Sequence, residues 1–399
     1  MYQPLKGIKV VDFSLAAAGP SCTKQLTELG ADDIWIEPLK GASTRSHHKY
    51  DFYCANKRSL PLDLKTIEGI DVMLRLIGKA DVFVTNYRLR AVNKLGLDYK
   101  SLKEINPRLI YAALTGFGTE GAQANNPGTD TAAFWAKGGI LQDYAEKGTL
   151  VVAPSAFGDC AAGMALAGGV LAALYDREKT GEGCDLYTSL LAMAVYLNHH
   201  AVVEVQYGEE YPKSRTSPAY PFLNSYRCKD GGWISMTIAR ADFGKYFDVL
   251  VKAIGRDDLA GNTQYAAIES ITRENSAAFT AILDEAFSKM TSDEAVTALQ
   301  AGNIAADKVQ STADTLYDPQ AEANRYFYPL EATHPVPGGK PEILVPASPI
   351  KYRKDLNFGI TGQKRGPKLG ENTVEILKEY SYSDAEIEAL LAKKITIKD

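Results

Sequence analysis

Cysteine is scarce here, and nothing in its arrangement suggests a framework. Five residues stand at Cys22, Cys54, Cys160, Cys184 and Cys228. None falls in C-x-x-C spacing, so neither a zinc site nor a set of disulfides is expected, and a reducing compartment suits the chain. Histidine is as rare, at His47, His48, His199, His200 and His334. Adjacent helical positions point about 100° apart, so His199 and His200 cannot easily share one metal. The sequence has no H-E-x-x-H and no G-x-S-x-G. No apolar run reaches the roughly 18–20 residues of a membrane helix, and no hydrophobic signal region opens the chain. A cytoplasmic protein without membrane contact is expected. A basic excess is also missing. The formal net charge is -5, which argues against nucleic-acid partners. A phosphate-bearing ligand would need a local cluster of cations.

What is present is ordinary globular material. The chain has 399 residues, 45% apolar and 23% charged, which is too long for one compact core and suggests two domains. Ile8–Phe13, Ile34–Glu37, Asp81–Thr85 and Leu109–Leu114 read as short buried strands, and Ser59–Asp63 as extended. Helices are expected over Cys22–Leu29, along the face Ile67, Ile70, Met73, Leu74 and Ile77, and over Ala161–Tyr175. Strands alternating with helices in this way imply βαβ units and a mostly parallel sheet, so the fold class is α/β. A further helix is expected over Leu190–Gln206. The character then changes. Tyr211–Tyr226 is rich in Pro, Ser and Tyr and reads as a linker. Beyond it, a strand at Trp233–Met236 and helices at Asp242–Ile254, Asn275–Met290 and Asp293–Gln300 suggest a small α+β domain. Thr291 with Glu294, Asn372 with Glu375 and Ser383 with Glu386 have capping-box spacing. There is no internal repeat.

Three segments could carry chemistry. Gly116-Phe117-Gly118-Thr119-Glu120-Gly121 fits G-x-G-x-x-G after a strand. A dinucleotide site would need a helix to follow at once, and Ala122–Gly128 has loop composition, so a glycine-rich turn is the better reading. Basic residues gather in two early loops, Asn56-Lys57-Arg58 with Lys65, and Asn86-Tyr87-Arg88-Leu89-Arg90 with Lys94. They form either a solvated face or a seat for a polyanion. Phe157-Gly158-Asp159-Cys160-Ala161-Ala162-Gly163 places a carboxylate among small residues at a loop-to-helix junction. Asp159 either caps the helix or uses the helix N-terminus as an anion-stabilising environment. Cys160 is a rival nucleophile without an evident histidine partner, so it reads as an inert thiol.

Taken together, these segments resemble the family III CoA-transferases. The resemblance rests on Pro4-Leu5-x-Gly7-Ile8-x-Val10-Val11-Asp12-Phe13, Ala18-Gly19-Pro20, Leu29-Gly30-Ala31, Asn56-Lys57-Arg58-Ser59-Leu60, Asn106-Pro107-Arg108, Pro127-Gly128-x-Asp130, Gly158-Asp159 with Gly163, Thr180-Gly181-x-Gly183 and Leu369-Gly370-Glu371-Asn372-Thr373. It implies a Rossmann-like large domain with a parallel sheet, a smaller α+β domain and an interlocked homodimer. The expected divisions are 1–210 for the first part of the CoA-binding domain, 211–330 for linker and small domain, and 331–399 for a segment returning to the large domain. It also implies Asp159 as the catalytic carboxylate and Asp130 near the reacting acyl group. Ala17, Ala18, Leu62, Asp63, Leu64, Lys65, Asn86, Tyr87, Arg88 and Lys94 would lie along CoA, an acyl-CoA co-substrate rather than a tightly bound cofactor.

Two departures bear on substrate. Position 38 is Pro where the formyl-CoA type carries an Arg for CoA, and the glycine run that type uses as a lid is missing. The stretch Pro127–Phe134 looks more like enzymes acting on phenyllactate or 2-hydroxyisocaproate, which would pair the protein with a 2-hydroxyacyl-CoA dehydratase. Two other readings compete: an α-methylacyl-CoA racemase, and a non-catalytic CoA-binding subunit of a dehydratase system. The racemase pattern has a His before the Asp of Gly-x-Asp, where this chain has Thr129, which cannot act as a base.

Overall fold

The computed structural model describes residues 2–146, 148–265, 267–272 and 275–399. They form two compact units. The first comprises Met1–Ile140, Val152–Val202 and Pro319–Asp399, and the second Leu141–Val151 and Val203–Asp318. The chain therefore leaves the first unit around 203 and re-enters it at 319, with an earlier excursion at 141–151.

The first unit is built on a six-stranded parallel sheet. Its strands are β1 (Lys9–Phe13), β2 (Asp32–Glu37), β3 (Arg58–Pro61), β4 (Val82–Thr85), β5 (Ile110–Thr115) and β6 (Cys184–Ser189), in the order β3-β2-β1-β4-β5-β6. The helices that matter for the site are α1 (Ala18–Glu28), α2 (Ile67–Ile77), α3 (Phe157–Thr180) and α4 (Leu190–Leu197). The central strands are continuous β-branched and aromatic runs because helices cover both faces. Val82, Phe83 and Val84 are each fully buried. Burial of each such side chain contributes roughly 1.5–3 kcal/mol. On one face, α2 packs Val72, Met73, Leu76 and Ile77 into the core. The returning C-terminal segment adds Ile376, Leu377, Ile387 and Leu390 to the same cluster. It is stitched on by backbone and side-chain bonds, Asp63 N–H to Ile395 O at 2.9 Å and Thr396 Oγ1 to Pro61 O at 2.6 Å.

On the other face α1 packs against α3, and the small residues explain how closely. A Cβ on Gly163 would lie 2.5 Å from Ser21 Cβ and 2.7 Å from the carbonyl of Ala18. By length and composition α3 could cross a membrane, which the sequence reading had not anticipated. Here Ala162, Leu166, Ala167, Val170 and Leu174 are buried within the unit. Gly181, at φ 78°, ends α3, as its position past the helical run suggests.

Beneath α1 lies a charged cluster with no solvent access. Lys57 Nζ donates to Asp12 Oδ2 and to Thr23 Oγ1, each at 2.6 Å, and sits 3.8 Å from Asp33 Oδ2. Burial holds the Asp33 carboxyl well above the usual carboxylate range, against the opposing influence of the Lys57 ammonium. Lys57 belongs to this cluster, so it is unavailable to a ligand. The first basic loop is therefore structural at that position. Arg58 is similarly spent on Asp32 and Glu379.

The second unit carries an antiparallel sheet of β7 (Leu223–Arg227), β8 (Trp233–Thr237) and β9 (Ala305–Lys308) with helices α5 (Phe243–Ala253), α6 (Ser276–Phe287) and α7 (Ser292–Ala301). The expected linker over 211–226 stops early, because β7 begins at Leu223 and buries Tyr226 against Phe287. The helix expected through Gln206 breaks at Asn198, the C-cap of α4. The capping boxes at Thr291 and Ser383 form as their spacing suggests. Asn372 does not cap. Its Oδ1 instead accepts the Ser59 N–H at 3.1 Å, tying the C-terminal segment to β3.

Candidate active site

Neighbouring strands β1 and β4 send their chains to opposite sides of the sheet, which opens a crevice at their C-terminal ends. Beyond β1 the chain turns sharply. Ala16 is held at φ 62°, a strained conformation for a residue with a Cβ. Asn86, just past β4, fixes this turn with both ends of its amide. Its Oδ1 accepts the Leu15 N–H at 2.9 Å and its Nδ2 donates to the Leu15 carbonyl at 2.7 Å. No side chain caps α1, which begins at Ala18 on the edge of the crevice.

The crevice encloses about 350 Å³. Its walls include Ala16, Ala18, Asn86, Thr115, Gly116, Gly128, Asp130, Ser155, Asp159 and Leu190. Of the G-x-G, Gly118 is needed for its φ of 99° and Gly116 for its approach to Gly128. A Cβ on Gly116 would lie 2.5 Å from the Gly128 Cα, so the two backbones touch where any side chain would fill the cavity.

Asp159 stands in the first turn of α3, half-buried on the cavity wall. It does not cap the helix. The N-cap is Ala156, at φ 64° and without a side-chain bond. The cap comes from another element: Asp130 Oδ1 accepts the Asp159 N–H at 3.0 Å. Asp130 opens a π-helix, Asp130–Ala136, and its Oδ2 accepts the Nε1–H of Trp135 at 3.1 Å. This wide turn is rare and sits at the cavity. The approach of Asp130 depends on Gly158. A Cβ there would lie 2.5 Å from Asp130 Oδ1 and 2.2 Å from the Phe134 ring.

Burial and the neighbouring Asp130 push the Asp159 carboxyl up to about 7, against the opposing influence of the Lys49 ammonium. Lys49 donates to Ser155 Oγ at 2.6 Å. Cys160 lies within reach of Ser21 Oγ at 3.5 Å and Tyr53 OH at 3.4 Å. Burial, and then the Cys160 thiol, push the Tyr53 hydroxyl up, so it stays protonated. The carboxylate of Asp159 is thus more basic than a free one and is placed in a cleft that excludes much of the solvent.

A second groove of about 430 Å³ runs over the ends of β1, β2 and β3. Leu62, Asp63, Leu64, Lys65 and Tyr87 line it, with Pro38 and Lys40 opposite. Tyr87 stacks on Phe13 at 4.3 Å between ring centroids. The groove is mostly apolar and carries two lysines, features suited to a flat ring system bearing phosphates.

The residues singled out from sequence fall into three places. Asp159, Asp130, Ala18 and Asn86 meet at the cavity. Leu62, Asp63, Leu64, Lys65 and Tyr87 meet at the groove. Ala17 is buried against Trp35 and Tyr50, while Arg88 and Lys94 are exposed outside both linings. The sequence reading missed Lys40, Lys49, Trp135 and Ser155, none of which belongs to a patterned motif. Among the described residues no cluster of three metal-ligating side chains occurs.

The CoA-transferase family III pattern matches residues 5–373. The chain is 34% identical to (R)-2-hydroxy-4-methylpentanoate CoA-transferase of Clostridioides difficile, over 98% of this chain and 99% of that one. It is 33% identical to cinnamoyl-CoA:phenyllactate CoA-transferase of Clostridium sporogenes, over 96% and 95%. Its fold matches the crystal structure of a CAIB/BAIF family protein from Brucella suis, with a TM-score of 0.79 at 28% identity, over 96% of this chain and all of that one. A glycine-lined cavity holding one basic carboxylate, beside an apolar groove with lysines, is thus found in a chain that belongs to CoA-transferase family III.

Proposed function

We propose that the enzyme moves CoA between an acyl-CoA and a 2-hydroxy acid, such as an aryl-lactate or 2-hydroxyisocaproate, with Asp159 as the covalent carrier. The observation that carries this reading is the Asp159 carboxylate itself, half-buried on the cavity wall and raised in basicity. In the first step an Asp159 oxygen bonds the thioester carbonyl carbon, the C–S bond breaks and CoA leaves as its thiolate. The product is a mixed anhydride. The thiolate then attacks the Asp159 carbonyl, releasing the first acid and leaving an Asp159–CoA thioester. The acceptor carboxylate reverses these steps. Anhydride and thioester are similarly activated, so little free energy is lost between steps. The 2-hydroxy acid class is supported by the substrates in the names of the two relatives.

CoA would lie along the groove, its phosphates near Lys40 and Lys65, with its thiol end directed to the cavity. Asp130 would act by positioning Asp159, since both its oxygens are engaged by Asp159 N–H and Trp135 Nε1–H. Transfer is favoured over racemisation because the residue before Asp130 is Thr129, whose hydroxyl accepts the Ala132 N–H and is no base. A homodimer is part of the proposal. Met164, Leu171 and Tyr175 of α3 and Tyr196 of α4 are exposed apolar side chains. A cytoplasmic site, and a dehydratase as consumer of the 2-hydroxyacyl-CoA, belong to the same proposal. The test is Asp159→Asn assayed with acyl-CoA donors and 2-hydroxy acids. Transfer should vanish while CoA still binds, and strong residual transfer would remove Asp159 from the role.

A further inference from the structure

A cavity built for a carboxylic acid has an electrostatic difficulty. Its lining carries two carboxylates, Asp130 and Asp159, and among the described lining residues no Lys, Arg or His. An incoming acid is itself an anion. Loading Asp159 with CoA neutralises one charge, but that of Asp130 remains. Something must compensate it before a third carboxylate can approach within bonding distance.

One cation reaches the rim. Lys49 lies in the segment between β2 and β3, and its Nζ donates to the Ser155 hydroxyl at 2.6 Å. Ser155 is itself part of the cavity wall, four residues before Asp159. Lys49 is exposed, and among the described residues its ammonium is paired with no carboxylate. An ammonium has three N–H donors, of which Ser155 takes one. Ser155 Oγ accepts from Lys49, which leaves its own O–H available as a donor. Two donor groups, one of them charged, therefore meet at a wall of the cavity that also carries Asp159. The Lys49 charge is also felt at Asp159, which it favours in the ionised form.

We propose that Lys49, with Ser155, recognises the carboxylate of the acceptor acid and delivers it to the Asp159–CoA thioester. This rests on the reading of Asp159 as the CoA carrier. In the step concerned, one acceptor oxygen bonds the Asp159 carbonyl carbon and the C–S bond breaks. CoA departs as thiolate, and no proton changes hands. Lys49 is a substrate-binding residue for the acid, distinct from the lysines of the CoA groove.

The test separates the two nucleophiles that can open the same thioester. The enzyme is charged with an acyl-CoA donor at pH 8.5, where Asp159 is ionised with or without Lys49, and the adduct is followed by intact mass. Its decay is then timed against increasing 2-hydroxyisocaproate or phenyllactate, and separately against hydroxylamine, which is uncharged. In Lys49→Met the half-saturating acid concentration should rise at least tenfold, hydroxylamine cleavage should change less than twofold, and Lys49→Arg should recover most of the loss. Ser155→Ala should show the same split at smaller size. Equal losses toward acid and hydroxylamine would overturn the proposal, as would an unchanged acid dependence. Failure of the unsubstituted protein to form any adduct is a different result. It would remove the Asp159 reading on which the proposal stands.

Discussion

Replacing Asp130 with Asn should shift the pH dependence of transfer rather than simply lower it. Asp130 Oδ1 lies 3.0 Å from the Asp159 backbone nitrogen. The Asp130 charge acts on the Asp159 carboxyl, and two unit charges about 6 Å apart at an effective dielectric of about 20 interact by roughly 2–3 kcal/mol. Solvent at the half-buried Asp159 screens part of this, leaving about 1.4 kcal/mol, or roughly one pKa unit. The other charged group that acts on Asp159 is Lys49, which is unchanged. The Asp159 midpoint should fall from about 7 toward roughly 6. At pH 6 the ionised fraction then rises about fivefold. Nucleophilicity falls with basicity, by roughly threefold for a Brønsted coefficient of about 0.5 like that of thiolates. Asn keeps one acceptor for the Asp159 N–H and loses the one for Trp135 Nε1–H, a loss common to every pH, so the ratio of pre-steady-state CoA release at pH 6 to that at pH 8.5 should rise about fivefold in the variant. A uniform loss across this range with the midpoint unmoved would refute the coupling.

Other substitutions probe the frame around the site. Gly158→Ala places a Cβ 2.2 Å from the Phe134 ring and 2.5 Å from Asp130 Oδ1, so it should destabilise by about 1–3 kcal/mol and slow transfer at least tenfold. Urea unfolding and kcat together check it, and a silent substitution would mean that Asp130 is not packed as described. Asp159→Asn should stabilise at high pH. The folded carboxyl keeps its proton to about pH 7, whereas an unfolded Asp releases it near 4. Between these values the folded state binds more protons, so stability falls as pH rises, and the neutral variant escapes that loss. After discounting for partial exposure the gain should be about 1–2 kcal/mol at pH 8 and absent at pH 4, and a gain equal at both pH values would contradict the shift. Lys57→Met leaves Asp12 and Asp33 buried without their cation and should cost about 3–5 kcal/mol in a denaturant titration. Lys40→Ala and Lys65→Ala should each raise the KM for acyl-CoA several-fold in a salt-dependent way. A larger effect from Lys94→Ala would move the phosphates off the groove.

Much of this was legible from the chain because the relevant signals are local. Buried strands such as Val82–Thr85 are short, apolar and β-branched, and Ile67–Ile77 shows its amphipathic face directly. The parallel sheet follows from their alternation with helices. Asp159 stood out through its small neighbours, and the structure gives the reason: Gly158 makes room for Asp130, and Gly163 for α1. The role of Asp130 as the partner of the Asp159 N–H was hidden, since it joins residues 29 positions apart through a π-helix that no periodicity announces. Lys57 looked like part of a ligand-binding loop because its charge is visible in sequence. That Asp12 and Asp33 consume this charge is a tertiary fact. Lys49 was missed for the opposite reason. A single lysine after His47 and His48 has no pattern, and its meaning comes from Ser155, over a hundred residues away.

The most direct test of the account is to catch the carrier. The protein is incubated with a panel of 2-hydroxyacyl-CoAs and aryl-acrylyl-CoAs, quenched with hydroxylamine, digested and measured by mass spectrometry. The account predicts a hydroxamate on the peptide holding Asp159, formed only when a competent donor is present and absent in Asp159→Asn. Modification at Cys160, or turnover with no label on this peptide under any donor, would contradict it.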